Sequence, residues 1–393
     1  MKFNIRDLSA GALATLITTH FLQAQVEVPL QLINVGDDVY RVGINLSFGA
    51  ESGATEQRLF LFDTGSSPLI ANENVDIGNS AFSGREGLAS YGFNDDDKHP
   101  YKVYNGSVII EDRQGATHTI SNVDFGQAYT TSTYPNGGYL TEPPFYGIIG
   151  ASLTPSLYEW ESNTYALYSA LGQIAAGSGL KPGFTVDIAS SKKSLYMGVS
   201  DQQIANFDFV APMNHLVGTA ASYNVFPNTG YTTYSQNIIN TRLAINGEEL
   251  STEAIPTAFD SGAPDVTLLT GPTDWPDLNI PEVPSEYLTT EGEFEYITDG
   301  VPLVLGVFEG DGIINYDSEY AYHPTRTEVK TAEEDAHLNT GILPFFYYQM
   351  TFLLDDGTGQ GYVGFTLVPE PEHYALGLGA LSLIVLAVRR RLS

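Results

Sequence analysis

The chain has 393 residues, no cysteine and a formal net charge of −30. That excludes disulfides, thiolate catalysis and cysteine-held metals, and it makes nucleic acid and anionic lipid surfaces unsuitable partners. Apolar residues make up 42 % of the chain, with 24 Tyr and 20 Phe, while 39 Gly and 21 Pro accompany only 16 % charged residues, a balance that suits a turn-rich β protein with a sizeable core better than a helical bundle.

The first 24 residues read as an export signal. Lys2 and Arg6 supply a positive start, Leu8 to Leu22 is mostly apolar, and Gln23-Ala24-Gln25 offers a small residue for cleavage. Val39 to Leu46 then has the period-two character of a half-buried strand, and Leu59-Phe60-Leu61-Phe62 is a continuous apolar run that ends at Asp63. Val108-Ile109-Ile110 and His118-Thr119-Ile120 flank a turn at Arg113-Gln114-Gly115, and Phe184 to Ile188 pairs with Leu195 to Gly198 as a second strand couple. Helical signals are few, the best being Tyr165 to Ala176 with Gly177 just past its end.

The informative feature is an internal repeat. Phe62-Asp63-Thr64-Gly65-Ser66 recurs as Phe259-Asp260-Ser261-Gly262-Ala263, each copy after a strand-like stretch and each followed by about a lobe's worth of chain. Ile148-Ile149-Gly150 follows the first copy and Ile342-Leu343-Pro344 the second. Two related β lobes, each donating one Asp, is the simplest arrangement, and it expects an all-β, bilobal fold with a cleft between the lobes.

An aspartate pair suits peptide hydrolysis without metal or covalent intermediate, which needs a base for water and an acid for the scissile carbonyl. Like charges a few ångströms apart do not both ionise cheaply, so the pair shares a proton and each member can take one role. Gly65 and Gly262 let the backbone turn tightly beneath the carboxylates, and the hydroxyls of Thr64 and Ser261 can bond across the lobe interface. A lone Asp-Thr-Gly would be an ordinary turn; two copies behind apolar strands are a stronger signal.

On these motifs the chain resembles the pepsin-like aspartic protease family over roughly Val39 to Leu367. Asp63-Thr64-Gly65-Ser66-Ser67 matches the family's first motif, Phe145-Tyr146-Gly147-Ile148-Ile149-Gly150 looks like its aromatic and glycine segment, and Tyr348 to Asp355 with Tyr362 to Phe365 resembles its closing strands. The resemblance implies catalytic Asp63 and Asp260, supporting Thr64, Gly65, Ser66, Ser261 and Gly262, no cofactor, and a monomer acting on protein or peptide substrates. It also implies a flap, matched to Tyr91-Gly92 with Tyr101 as a rival and an acidic tip at Asp95-Asp96-Asp97. Three departures stand out: Ala263 where the family carries Thr or Ser, Pro344 in place of a second glycine, and Ile70 where many members place a Trp that braces the flap. They motivate an alternative, a catalytically inactive binding or surface protein of the same fold. The 7 His are scattered without helical metal spacing, no Gly-x-Ser-x-Gly elbow is present, and the acidic tip is the one weak Ca²⁺ candidate.

The end of the chain carries a separate signal. Val368-Pro369-Glu370-Pro371 precedes an apolar run from Tyr374 to Val388 and the cluster Arg389-Arg390-Arg391. This is a short hydrophobic helix with a cationic stop, and the order closely resembles the PEP-CTERM sorting signal of Gram-negative bacteria, which implies an exosortase-type enzyme as partner. The expected division is thus 1–24 signal peptide, 25–208 and 209–367 the two lobes, and 368–393 the sorting segment, in a protein exported to the cell envelope or beyond.

Overall fold

The computed structural model describes residues 25–36, 39–50, 53–90, 98–141, 143–245, 248–249, 255–264, 266–270, 292–298, 301–309, 313–314, 327–331, 337–354 and 359–368. The expected export signal, the flap residues Tyr91 and Gly92, the acidic tip and the sorting segment from Pro369 onward lie outside these residues. Among the described residues no helix is long and apolar enough to cross a membrane.

The first half supplies β1 (Val26–Asn34), β2 (Tyr40–Phe48), β3 (Arg58–Asp63), β4 (Leu69–Ala71), β5 (Ala81–Ser90), β6 (Lys98–Glu111), β7 (Thr117–Ala128) and β8 (Gly147–Gly150). β2 pairs antiparallel with β3, β3 parallel with β8, β8 antiparallel with β4, and β4 parallel with β7. β3 lies inside the sheet between β2 and β8, and Phe60, Leu61 and Phe62 are all buried, because a strand covered on both faces has no solvent side to alternate with. β2 is more buried than the alternation in its sequence suggests for the same reason, since it pairs with β1, β3 and β6. The β6–β7 hairpin turns where expected. Asp112 Oδ1 accepts from the N–H groups of Gln114 (2.9 Å) and Ala116 (2.8 Å), and Gly115 takes a left-handed φ of 82°.

β9 (Ser156–Trp160) and β10 (Asn163–Leu167) form a separate hairpin. This corrects the helix expected over Tyr165 to Ala176. Tyr165 stacks on Tyr158 across the hairpin with centroids 5.7 Å apart, so pairing and aromatic packing override a local sequence of fair helix formers. Only Leu171–Gln173 makes a 3₁₀ turn, and Gly172 there lies so close to Phe226 that a Cβ would come within 2.2 Å of its ring.

The couple expected around Phe184 and Leu195 is present as β11 (Lys181–Asp187) and β12 (Ser194–Val199), followed by β13 (Phe209–Pro212). The second half contributes β14 (Ile239–Ile245), β15 (Glu248–Glu249), β16 (Ile255–Ala258), β17 (Val266–Thr270), β18 (Gly292–Thr298), β19 (Val301–Glu309), β20 (Ile313–Ile314), β21 (Thr327–Thr331), β22 (His337–Asn339), β23 (Tyr348–Leu353) and β24 (Tyr362–Leu367). Here β14 pairs antiparallel with β16, β16 parallel with β22, β22 antiparallel with β17, and β17 parallel with β21. That is the order of pairings found around β3, so the sequence repeat is a repeat of topology and the fold is all-β and bilobal.

The two halves share a platform. β23 and β24, from the end of the chain, join β11, β12 and β1 in one sheet, and β13 pairs with β24. Phe184 stacks on Phe352 at 4.9 Å and the hydroxyls of Thr185 and Thr351 meet at 2.8 Å. This layer holds the two Asp-bearing loops at a fixed distance, which a pair of carboxylates in contact requires.

Candidate active site

Each Asp stands at the end of a buried strand, where the chain makes a tight turn. Asp63 Oδ1 accepts from the N–H groups of Gly65 (2.8 Å) and Ser66 (3.1 Å), and Asp260 Oδ1 accepts from Gly262 (2.9 Å) and Ala263 (3.0 Å). The two loops then interlock. Thr64 Oγ1 donates to Phe259 O (2.7 Å) and accepts from Ser261 N–H (2.8 Å); Ser261 Oγ donates to Phe62 O (2.9 Å) and accepts from Thr64 N–H (3.1 Å). These four bonds obey the two-fold relation between the halves. Both glycines are required by close approach: a Cβ on Gly65 would stand 2.3 Å from Asp260 Cγ, and one on Gly262 2.3 Å from Asp63 Cγ.

The carboxyl groups of Asp63 and Asp260 approach across the two loops, each against the other loop's glycine, and two carboxylates so placed do not both ionise cheaply, which favours a proton shared between them. Asp63 is 4 % exposed. Burial raises its pKa well above the ordinary carboxylate range; the negative charge of Asp260 and the bond to it raise it further, while the Ser66 hydroxyl and the Gly65 N–H act in the opposite direction. Ser66 Oγ is buried without a partner at normal hydrogen-bond geometry, so its influence on Asp63 is one of proximity. The structure thus brings together Asp63, Thr64, Gly65, Ser66, Asp260, Ser261 and Gly262. Such a pair can take a proton from water on one carboxylate and donate one from the other.

Two of the sequence departures change meaning. Pro344 does not occupy the second glycine's place. In the first half Asp63 stands opposite Gly150 across the parallel pair. In the second half Thr257 stands opposite Leu338 and Ala258 opposite Asn339, and continuing that register sets Asp260 opposite Gly341. Gly341 has a left-handed φ of 56°, and Pro344 only opens the 3₁₀ turn Leu343–Phe346 that follows. The Ile-Leu pair at 342–343 imitates Ile148-Ile149 but lies past the strand.

Ala263 does lack the hydroxyl, but another side chain reaches Asp260. Asn339 Nδ2 donates to Asp260 Oδ2 at 2.8 Å, and Asn339 Oδ1 accepts from Gly341 N–H at 2.9 Å. Only the oxygen can accept from that N–H, which fixes the amide with its nitrogen toward Asp260. Sequence reasoning missed Asn339 because it took the wrong segment for the glycine strand; the signal available was Gly341 at nearly the same offset from its Asp as Gly150.

The β5–β6 hairpin brings Leu88, Ala89 and Ser90 beside Gly65 and Ser66, with Ser90 opposite Lys98, and the expected flap residues Tyr91 and Gly92 fall in the sequence between these strands, outside the described residues. The rival Tyr101 does not overhang the cleft. It is 2 % exposed and packed among Gly87, Gly126, Ile70 and Tyr158, where burial pushes its hydroxyl pKa up. Ile70, buried beneath the hairpin, belongs to the same cluster. A cavity of ≈ 300 Å³ opens next to Asp63. It is lined by Gly65, Ser66 and Ser67, by residues 88–90 of the hairpin, and by Thr154, Ser156 and Gln236. Gln236 Nε2 donates to Gly65 O at 2.5 Å, a second contact the sequence did not disclose. Its lining carries no formal charge, and among the described residues no group of His, Asp and Glu is placed to hold a metal ion.

The chain matches no protein-family model and no curated protein sequence. Its fold does match solved structures. An aspartic proteinase from Irpex lacteus aligns over 87 % of this chain and 98 % of its own, with a TM-score of 0.55 at 14 % identity. Basic 7S globulin from soybean aligns over 88 % of this chain and 96 % of its own, with a TM-score of 0.52 at 12 % identity. At such identities the likeness establishes the pepsin-like fold.

Proposed function

We propose that this pepsin-fold protein is an aspartic endopeptidase in which Asp63 and Asp260 activate a water between them and hydrolyse peptide bonds. The observation that carries the reading is the close approach of two carboxyl groups on symmetry-related loops, Asp63 buried and Asp260 half-buried, with Asp63 raised well above its ordinary range by burial and by its partner. A shared proton gives one group for deprotonating water and one for protonating the carbonyl. The four cross-loop bonds hold that geometry before substrate arrives, which is what preorganised catalysis needs.

The non-catalytic alternative rested on Ala263, Pro344 and Ile70. Pro344 is not at the glycine position and Asn339 supplies Asp260 with a donor in place of the hydroxyl, so two of its three supports fall away. Around the enzyme we place the division at 25–208 and 209–367 for the lobes, a removed signal at 1–24, and a sorting segment at 368–393 handled by an exosortase-type enzyme of a Gram-negative envelope. The flap role stays with Tyr91 and Gly92, which lie in the sequence between β5 and β6. The test is hydrolysis of an unstructured protein across the pH range with and without a pepstatin-type transition-state analogue. Cleavage that the analogue blocks is the expected result; no cleavage at any pH, or cleavage indifferent to the analogue, overturns the reading.

A further inference from the structure

The two halves share their cross-loop bonds but differ beside the dyad, where Ser66 is matched by Ala263 and a second exchange lies on the strand opposite each Asp. Ile148 stands opposite Leu61 and Ile70, and its counterpart in the second half, opposite Ala258 and Thr267, is Asn339. An apolar side chain on one side of the two-fold thus faces an amide on the other, both buried, at 3 % and 7 % exposure. As a result Asp260 accepts three N–H bonds, from Gly262, Ala263 and Asn339, and its Oδ2 is bonded by a donor that has no equivalent at Asp63. Asp63 accepts two, both on Oδ1.

We propose that Asn339 is a positioning residue that breaks the symmetry of the pair, holding Asp260 as the carboxylate and leaving the shared proton on Asp63. An N–H bond favours the charged form of the carboxylate that accepts it, and bonds to charged groups are about twice as strong as neutral ones. Asn339 cannot rotate to offer its oxygen instead, because Gly341 N–H holds that oxygen. Burial of Asp63 works in the same direction, since it penalises charge on the carboxyl with fewer donors. The division of labour follows: Asp260 accepts the proton of the attacking water, and Asp63 donates its proton to the scissile carbonyl oxygen, so one proton enters the pair as one leaves it. That use of the proton rests on the endopeptidase reading; its location does not. Among the described residues, the titratable groups on Asn339's side are Asp63, on the facing loop, and His337, two residues earlier on the same face of β22 and so about 7 Å away along the strand.

The experiment follows the carboxyl ¹³C resonances of Asp-labelled protein through a pH titration, with Asp63→Asn and Asp260→Asn assigning the pair. It needs no turnover, so a protein that cleaves nothing would fail the endopeptidase reading and leave this one standing. In the wild type, between the two apparent ionisations of the pair, Asp63 should show the neutral carboxyl shift and Asp260 the carboxylate shift. Asn339→Ile, which copies Ile148, should raise the lower apparent pKa of the pair by about one to two pH units and spread the proton over both groups. Asn339→Ser, polar but too short to reach Asp260, should do the same if the isoleucine variant does not fold. His337→Gln should leave the lower step in place. The proposal is overturned if the wild-type proton sits on Asp260, if neither Asn339 variant moves the lower step, or if His337→Gln moves it equally.

Discussion

Removing the Thr64 hydroxyl should weaken the joint between the two Asp-bearing loops by a calculable amount. Its Oγ1 donates to Phe259 O at 2.7 Å and accepts from Ser261 N–H at 2.8 Å, in a place where Thr64, Phe259 and Ser261 are at most 6 % exposed. Valine keeps the shape and loses both bonds. Each bond contributes about 0.5–1.5 kcal/mol net, and stranding a buried partner pushes the loss toward the upper end, so Thr64→Val should cost about 3 kcal/mol. Thr64→Ser keeps the hydroxyl and removes one buried methyl, worth about 1 kcal/mol. The assay is urea denaturation of both variants beside wild type, comparing midpoints where the m-value is unchanged. A Thr64→Val midpoint no lower than that of Thr64→Ser would refute the reasoning, because the cross-loop bonds would then carry no net stability.

The raised pKa of Asp63 makes a signed prediction. A carboxyl whose folded pKa is raised contributes stability that is fully present below its unfolded value of about 3.9 and is lost as pH rises through the folded value. Asp63→Asn should therefore be more stable than wild type at neutral pH, with the advantage shrinking as pH falls toward 4 in thermal melts; an advantage independent of pH contradicts the burial argument. A chain ending at Val368 should fold, because β24 closes at Leu367 and, among the described residues, the final hydrogen bond is Val368 N–H to Tyr347 O at 2.9 Å, yet fail to reach the normal location; circular dichroism and cell fractionation read the two outcomes. With a net charge of −30 and acidic residues at 95–97 in the segment expected to carry the flap, Lys-rich peptides should be cleaved faster than matched Glu-rich ones at low salt. The difference should fade as salt is added, and equal rates at low salt would end the idea.

Much of the fold was legible because the strands obey local rules. The run before Asp63, the turn at Gly115 and the repeat of Asp-Thr/Ser-Gly each carry their own signal. What misled was non-local. Tyr165 to Ala176 has fair helix formers, but the partner that makes Tyr165 a strand residue is Tyr158, and only folding brings the ring there. Tyr101 looked like a flap candidate because of its type and neighbourhood, whereas its burial is set by Gly87 and Gly126, which leave room for the ring. The same holds at the site. The dyad, its glycines and the two hydroxyls form contiguous motifs and could be read directly. Asn339 reaches Asp260 from a strand distant in the chain, and recognising it needed the parallel register of β16 and β22 rather than the residue order. Ile342-Leu343 offered a false match because two apolar residues after a variable stretch are a weaker constraint than a glycine opposite the paired aspartate.

The central claim is that one proton-sharing pair does the chemistry. Its most direct test is the pH dependence of cleavage of a single synthetic peptide by wild type, Asp63→Asn and Asp260→Asn, each confirmed folded. The account predicts a bell-shaped profile for wild type, with limbs set by the two ionisations of the pair, and loss of cleavage to background at every pH in both variants. Cleavage that survives either substitution, or a wild-type profile without both limbs, would contradict it.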